Sequence, residues 1–131
     1  MADERVVLLV EDEEPNRALL RAVLARATGD RLRGVVLVEA ADLASAREVL
    51  ASRHVDLVLL DVRLPDGNGL SLIPAEGERG AASPSFVVLS ASVLPNERAA
   101  ALASGAAGFL AKPYRPAELI DTVAALLHLG T

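Results

Sequence analysis

Residues 7–17 read VLLVEDEEPNR. The opening residues are wholly apolar, the pattern of a strand buried on both faces. Two carboxylates, Glu11 and Asp12, follow at once, and Pro15 stands where proline is favoured, in the first turn of a helix. Leu19, Leu20, Val23 and Leu24 then supply an apolar face for that helix. The stretch therefore reads as one strand–helix unit with an acidic turn between.

The same unit recurs along the chain. Apolar runs at residues 35–38, 55–60 and 86–89 resemble the first, at residues 6–10, and Gly108–Ala111 is a weaker fifth placed mainly by its surroundings. Asp42 is suited to cap a helix that buries Leu43, Ala46, Val49 and Leu50. Pro95 and Asn96 open another, with Gly105 as a candidate C-cap. Pro116 starts the last, whose inner stripe is Leu119, Ile120, Val123, Leu126 and Leu127. Strands alternating with helices mean parallel pairing through right-handed crossovers, and five such units make a doubly wound α/β domain. The third helix is the weak point. Leu70, Leu72 and Ile73 are followed by Pro74, Gly77, Gly80 and Pro84. Proline inside a helix costs about 3 kcal/mol, so the 70–85 segment should be short, displaced or partly loop. With no repeat, linker or second core pattern, the expectation is one domain over residues 1–131.

Composition sets the outer limits. Apolar residues make up 52% of the chain and charged ones 24%, a globular balance. Phe86, Phe109 and Tyr114 are the whole aromatic set, so Val, Leu, Ile and Ala must build the core. Thirteen basic against eighteen acidic residues leave a net charge of −5, which argues against a nucleic-acid footprint. There is no cysteine, so disulfides and thiolate metal sites are excluded. The start, MADERVVLLV, is acidic where a signal peptide would be basic, and no apolar run approaches the ~20 residues a membrane helix needs. A cytoplasmic protein with no membrane contact is expected.

Polar residues stand at the carboxyl ends of the apolar runs, where open α/β sheets bind ligands. Glu11 and Asp12 follow the first, Asp61 the third, Ser90 the fourth and Lys112 the fifth. A single carboxylate after a strand is usually a helix cap or a solvated loop residue. Polar groups at four of the five strand ends are much harder to explain that way. The loop after Asp61, RLPDGNG, turns the chain sharply: Pro65 fixes its own φ, while Gly67 and Gly69 permit φ > 0.

Four stretches, VLLVEDEEPNR, LVLLDVRLPDGNGL, VVLSAS and GFLAKPY, resemble in order and spacing the receiver domain of two-component response regulators. The resemblance covers essentially the whole chain. It implies a flavodoxin-like, five-stranded parallel sheet of order 2-1-3-4-5 with helices on both faces. It makes Asp61 the phosphoacceptor, with Asp12 binding Mg²⁺ directly, Glu11 acting through water, and the main-chain carbonyl of Arg63 completing the metal ligands. Ser90 fits the hydroxyl position, Lys112 the phosphoryl-binding lysine and Phe109 the aromatic switch, while Pro65 and Gly69 fit the loop after the acceptor. A cis Lys112–Pro113 bond is also implied. The implied donor is a phosphohistidine on a histidine kinase or phosphotransfer protein. Output is implied through the face formed by the fourth helix, fifth strand and fifth helix, residues 95–127, towards an output partner the sequence does not name. A phosphorylation-dependent homodimer is compatible with that.

The residue types suit this chemistry. Carboxylates ~4 Å apart repel by ~4 kcal/mol at an effective dielectric near 20, so a cluster of them wants a cation. Oxygen ligands favour a hard ion, and phosphoryl transfer favours Mg²⁺. Asp61 would attack phosphorus in line to give an acyl phosphate, with Lys112 and Ser90 contacting phosphoryl oxygens. The only chemistry promoted is then the chain's own phosphorylation and dephosphorylation. A haloacid-dehalogenase-type phosphatase also uses Asp, Mg²⁺, a hydroxyl and Lys, but the second acid of its Asp-x-Asp motif is Arg63 here. No GxxxxGK[ST] loop is present, which removes a P-loop NTPase. A receiver acting by binding without phosphorylation is the third reading, kept open by the broken third helix. Arg63 and Ser92, two residues after the acceptor and hydroxyl positions, are placed to affect water access. His54 and His128 read as surface residues, and Arg17, Arg21 and Arg26 as the solvated face of the first helix.

Overall fold

The computed structural model describes residues 4–29, 32–74, 83–91 and 95–128. Five strands form one parallel sheet: β1 (Arg5–Val10), β2 (Val35–Ala40), β3 (Leu57–Asp61), β4 (Ser85–Ser90) and β5 (Gly108–Ala111). Their order across the sheet is β2-β1-β3-β4-β5, as expected. Four α-helices are described: α1 (Glu14–Ala27), α2 (Leu43–Ser52), α3 (Pro95–Ala103) and α4 (Pro116–Leu126). Where the sequence places a third crossover helix, the described chain makes only a 3₁₀ turn, Gly69–Leu72, that stops before Pro74. Gly77 and Gly80 lie outside the described residues.

Strand alternation sorts the core into two layers. Val6, Leu8 and Val10 point to one face, where Leu43 and Ala46 of α2, Leu72 and Ala101 of α3 cover them. Val7 and Leu9 point to the other, against Leu20 and Leu24 of α1 and Leu119 and Val123 of α4. Because both faces are covered, β1 from Val6 to Val10 and β3 from Leu57 to Leu60 are apolar at every position, which is why their runs are continuous. Order then reverses at β1: the chain leaves it for β2 on one side and returns to β3 on the other. The crevice beyond β1 and β3 is the switch point at which such sheets bind ligands.

Leu19 corrects the expected face of α1. It is 62% exposed, whereas Leu20, Leu24 and Ala27 are buried. The spacing i, i+4, i+7 defines the stripe, and Leu19, one residue off it, is turned towards solvent. Arg17 corrects the reading of a solvated basic face, with its side chain only 15% exposed. Its Nη1 donates to the Glu11 carbonyl at 2.7 Å, and its other nitrogens reach Glu14 at 2.9 Å and Glu39 at 3.5 Å. Arg21 and Arg26 are exposed as expected, Arg21 bonded to Glu39 and Glu14. His54 is exposed but pairs with Asp56 at 2.9 Å.

The loop after β3 is anchored rather than free. Arg63–Leu64 pairs with Gly67–Asn68 in a two-residue antiparallel ladder closed by Pro65 and Asp66. Asp66 then caps the neighbouring helix: its Oδ1 accepts from the Leu43 N–H at 2.8 Å and its Oδ2 from the Ala44 N–H at 3.1 Å. The N-cap of α2 is Asp42, whose side chain accepts from the Ser45 N–H at 2.8 Å; hydrogen bonding to the Ser45 side chain, and then to its N–H, holds the carboxyl below the usual range. Three first-turn donors of α2 are thus met by two carboxylates, one of them from the acceptor loop. Asp66→Ala should therefore cost about 1 kcal/mol of stability, the usual worth of a lost cap. Urea denaturation checks it, and an unchanged midpoint would mean the loop does not hold α2.

Candidate phosphoryl site

Four of the five strands, all but β2, place functional groups at their carboxyl ends. The β1 and β5 chains continue the sheet by one bond beyond the ladder: Glu11 N–H donates to the Ala40 carbonyl at 3.0 Å, and Lys112 N–H to the Ser90 carbonyl at 2.7 Å. These bonds fix the main chain from which Glu11 and Lys112 project. Asp61 is the last residue of β3, and Ser90, buried, the last of β4.

Glu11, Asp12 and Asp61 each offer a carboxylate oxygen, and the three oxygens lie within 4.8 Å of one another. Lys112 joins two of them, its Nζ donating to Glu11 Oε1 at 3.1 Å and Asp61 Oδ2 at 3.3 Å. The second Glu11 oxygen accepts from the Glu13 N–H at 3.1 Å, and Asp61 Oδ1 accepts from the Arg63 N–H at 3.2 Å. Glu11 is fully buried, and a charge with no access to water persists only when bonded on both oxygens. Burial pulls the Lys112 pKa down, but the Asp61 charge and the bond to Glu11 outweigh it, and the net effect is a raised pKa. The ammonium stays protonated at neutral pH. The phenol of Tyr114, half-buried beside it, is pushed up mainly by burial.

Three carboxylates against one ammonium leave a local charge of −2. A like-charged pair 4.8 Å apart repels by roughly 3.5 kcal/mol at an effective dielectric near 20. The donor set is all oxygen, with neither sulfur nor imidazole among the clustered groups, which fits a hard divalent ion and not a soft one. The cluster opens on a cleft of roughly 620 Å³ lined by Asp12, Asp61, Arg63, Ser90, Glu97 and Lys112 among others. Asp12 is exposed and Asp61 half-buried, so an incoming anion reaches the acceptor from solvent.

Gly69 serves a purpose different from the one read in sequence. It does not adopt positive φ; Gly67 does, at 147°. A Cβ at Gly69 would lie 2.0 Å from the Asp61 carbonyl oxygen. The loop packs directly on the main chain of the acceptor, sealed by a 2.6 Å bond from the Gly69 N–H to the Val62 carbonyl. Phe109 is half-buried on β5, with the Arg98 guanidinium 5.8 Å from its ring centroid, a cation–π distance. The Lys112–Pro113 peptide is cis, as the resemblance implies. Ser92 lies outside the described residues.

Sequence reasoning missed Arg17, Asp66 and Arg98. Arg17 looked like surface because one of its partners, the Glu11 carbonyl at 2.7 Å, is main chain and leaves no mark in sequence. Asp66 looked like a turn residue because its capped N–H groups are 22 and 23 positions away.

A carboxylate cluster faced by a lysine at the strand ends of a 2-1-3-4-5 sheet defines a receiver-type α/β protein. The chain belongs to the response regulator receiver domain family, whose model matches residues 7–124. It is 38% identical over 129 residues to the transcriptional regulatory protein GltR of Pseudomonas aeruginosa, covering 97% of this chain and 50% of that protein. It is 39% identical over 113 residues to the KDP operon transcriptional regulatory protein KdpE of Escherichia coli, covering 86% of this chain and 47% of the relative. The chain thus spans about half the length of these curated relatives. Among solved structures it is similar to a putative response regulator from Chloroflexus aurantiacus, with TM-score 0.83 and 25% identity over 96% of this chain and 99% of that one. It is also similar to the receiver domain of a sensor histidine kinase from Pseudomonas aeruginosa, with TM-score 0.78 and 26% identity over 95% of this chain and 98% of that one. That receiver holds a magnesium ion in its active-site cleft. No helix among the described residues is long and apolar enough to cross a membrane.

Proposed function

We propose that the chain is a single receiver domain over residues 1–131 that accepts a phosphoryl group on Asp61 from a histidine kinase or phosphotransfer protein. The reading is carried by one observation: carboxylate oxygens of Glu11, Asp12 and Asp61 converge within 4.8 Å, with Lys112 bonded to two of these residues. Asp12, Asp61 and the Arg63 carbonyl would hold Mg²⁺ directly and Glu11 through water; when bound, the ion neutralises the carboxylates and the oxygens of the arriving phosphoryl group. An Asp61 oxygen forms the new bond to phosphorus as the bond to the donor breaks, leaving an acyl phosphate. Lys112, already protonated and 3.3 Å from Asp61 Oδ2, is placed to pair with a phosphoryl oxygen, and Ser90 to donate to another.

Output follows by population shift. Ser90 moves towards the phosphoryl group, Phe109 turns inward, and the α3–β5–α4 face repacks for an output partner or a second copy of the chain. Only a few kcal/mol of differential stabilisation is needed. A cytoplasmic setting goes with this reading, since the relatives matched are named as transcriptional regulators.

With acetyl phosphate and Mg²⁺, the intact mass should rise by one phosphoryl group, and Asp61→Asn should abolish the gain. Sustained phosphate release from unrelated phosphomonoesters would support the phosphatase instead. No mass gain at all would leave a receiver that acts by binding alone.

A further inference from the structure

Two groups of opposite charge line the phosphoryl cleft, and neither has a hydrogen-bond partner among the described residues. Glu97, in the first turn of α3, lines the cleft, and its Oε2 is buried with no hydrogen-bond partner among the described residues. Arg63, on the loop that follows Asp61, lines the same cleft. Its main-chain N–H is bonded to Asp61, but its exposed guanidinium has no hydrogen bond or ion pair among the described residues.

A buried carboxylate oxygen without a donor is costly and rare in native proteins, so Glu97 calls for a partner that the described residues do not supply. We propose that phosphorylation of Asp61 supplies that partner, drawing the Arg63 guanidinium inward to bridge the phosphoryl group and Glu97. The inference rests on the proposed function of Asp61 as phosphoacceptor.

The charges give the bridge its direction. Before phosphorylation Arg63 gains little by leaving water, since Lys112 already occupies the space between Glu11 and Asp61. The phosphoryl group adds about two negative charges and three acceptor oxygens. A guanidinium carries five N–H donors in a planar fork, so it can bond a phosphoryl oxygen with one edge and a carboxylate with another. A lysine ammonium has the charge but not the fork. Glu97 alone would repel the phosphoryl group, and with Arg63 between them that repulsion becomes attraction. The bridge covers the acyl phosphate against water and ties the acceptor loop to α3. Arg98, the next residue of α3, lies over the Phe109 ring, so a pull on Glu97 is felt at the aromatic switch. Arg63 and Glu97 act through the phosphoryl group and on its surroundings; they are positioning residues.

The test is the rate of loss of the aspartyl phosphate in wild type, Arg63→Ala, Glu97→Gln and the double variant, after loading with acetyl phosphate and Mg²⁺ and removal of the donor. Each single variant should lose the phosphate about fivefold faster than wild type, and the double variant no faster than either single. Arg63→Lys should behave like Arg63→Ala, because the fork is lost while the charge remains. The thermal midpoint of unphosphorylated Glu97→Gln should equal or exceed that of wild type, which separates a role in the phosphorylated state from a merely structural one. Single effects that multiply in the double variant, or lifetimes equal to wild type, would overturn the bridge while leaving Asp61 as acceptor. Failure of the wild type to take up a phosphoryl group would overturn both.

Discussion

Lys112→Ala should destabilise the unphosphorylated protein by about 3 kcal/mol, at the low end of what is lost when one partner of a buried ion pair is removed. Glu11 is fully buried, and one of its two oxygens is held by the Lys112 ammonium at 3.1 Å. Without that ammonium, three carboxylates face one another with no internal cation. The Glu13 N–H still bonds the other oxygen of Glu11, which keeps the loss from being larger. Urea denaturation measures the effect, and a second variant identifies its origin. Adding Asp61→Asn to Lys112→Ala removes one of the repelling charges and should recover part of the stability. Mg²⁺ should recover part as well, since an ion bound only by the folded state stabilises it by mass action. A Lys112→Ala protein as stable as wild type would mean that the cluster is not held by charge balance.

Gly69→Ala should be the most damaging small substitution in the acceptor loop. The added Cβ would meet the Asp61 carbonyl oxygen at 2.0 Å and Leu60 Cδ1 at 3.0 Å. The first of these is backbone and cannot rotate away, so either the loop or the end of β3 must move. A loss of about 3 kcal/mol is expected for such overpacking against a fixed main chain. Phosphoryl uptake should fall too, because the displaced atoms belong to the acceptor itself. Gly29→Ala is the control: its Cβ would meet nothing within 4 Å, so its denaturation midpoint should hardly change. Equal behaviour of the two variants would show that the loop tolerates movement and does not position Asp61.

Glu11, Asp12, Asp61 and Ser90 were legible because they follow continuous apolar runs of the kind that strands buried on both faces show, whereas Lys112 follows a weaker run placed by its surroundings. Glu11, Asp12, Asp61, Ser90 and Lys112 could therefore be assigned to one sheet edge, and the sheet order followed once the chain was seen to resemble a known family. That the segment after Leu70 would not run on as a helix was legible from Pro74, read with Gly77, Gly80 and Pro84, and the described 3₁₀ turn ends at Leu72. Other features depend on contacts with main-chain atoms, which sequence periodicity does not carry. Gly69 was read as a conformational glycine, but what demands it is the approach of a carbonyl. Arg17 was read as solvated because its position on α1 says nothing of the Glu11 carbonyl that it bonds. Leu19 was read as core because neighbouring leucines blur a stripe that the helix resolves to one residue.

The most direct measurement traps the phosphoryl group chemically and locates it. Borohydride reduction of an acyl phosphate converts the aspartate that carries it to homoserine, and peptide mass analysis gives its position. After treatment with acetyl phosphate and Mg²⁺, homoserine is expected at residue 61 and nowhere else, and none when the metal is chelated beforehand. Homoserine at residue 12, or reduction that proceeds equally well without Mg²⁺, would contradict the account.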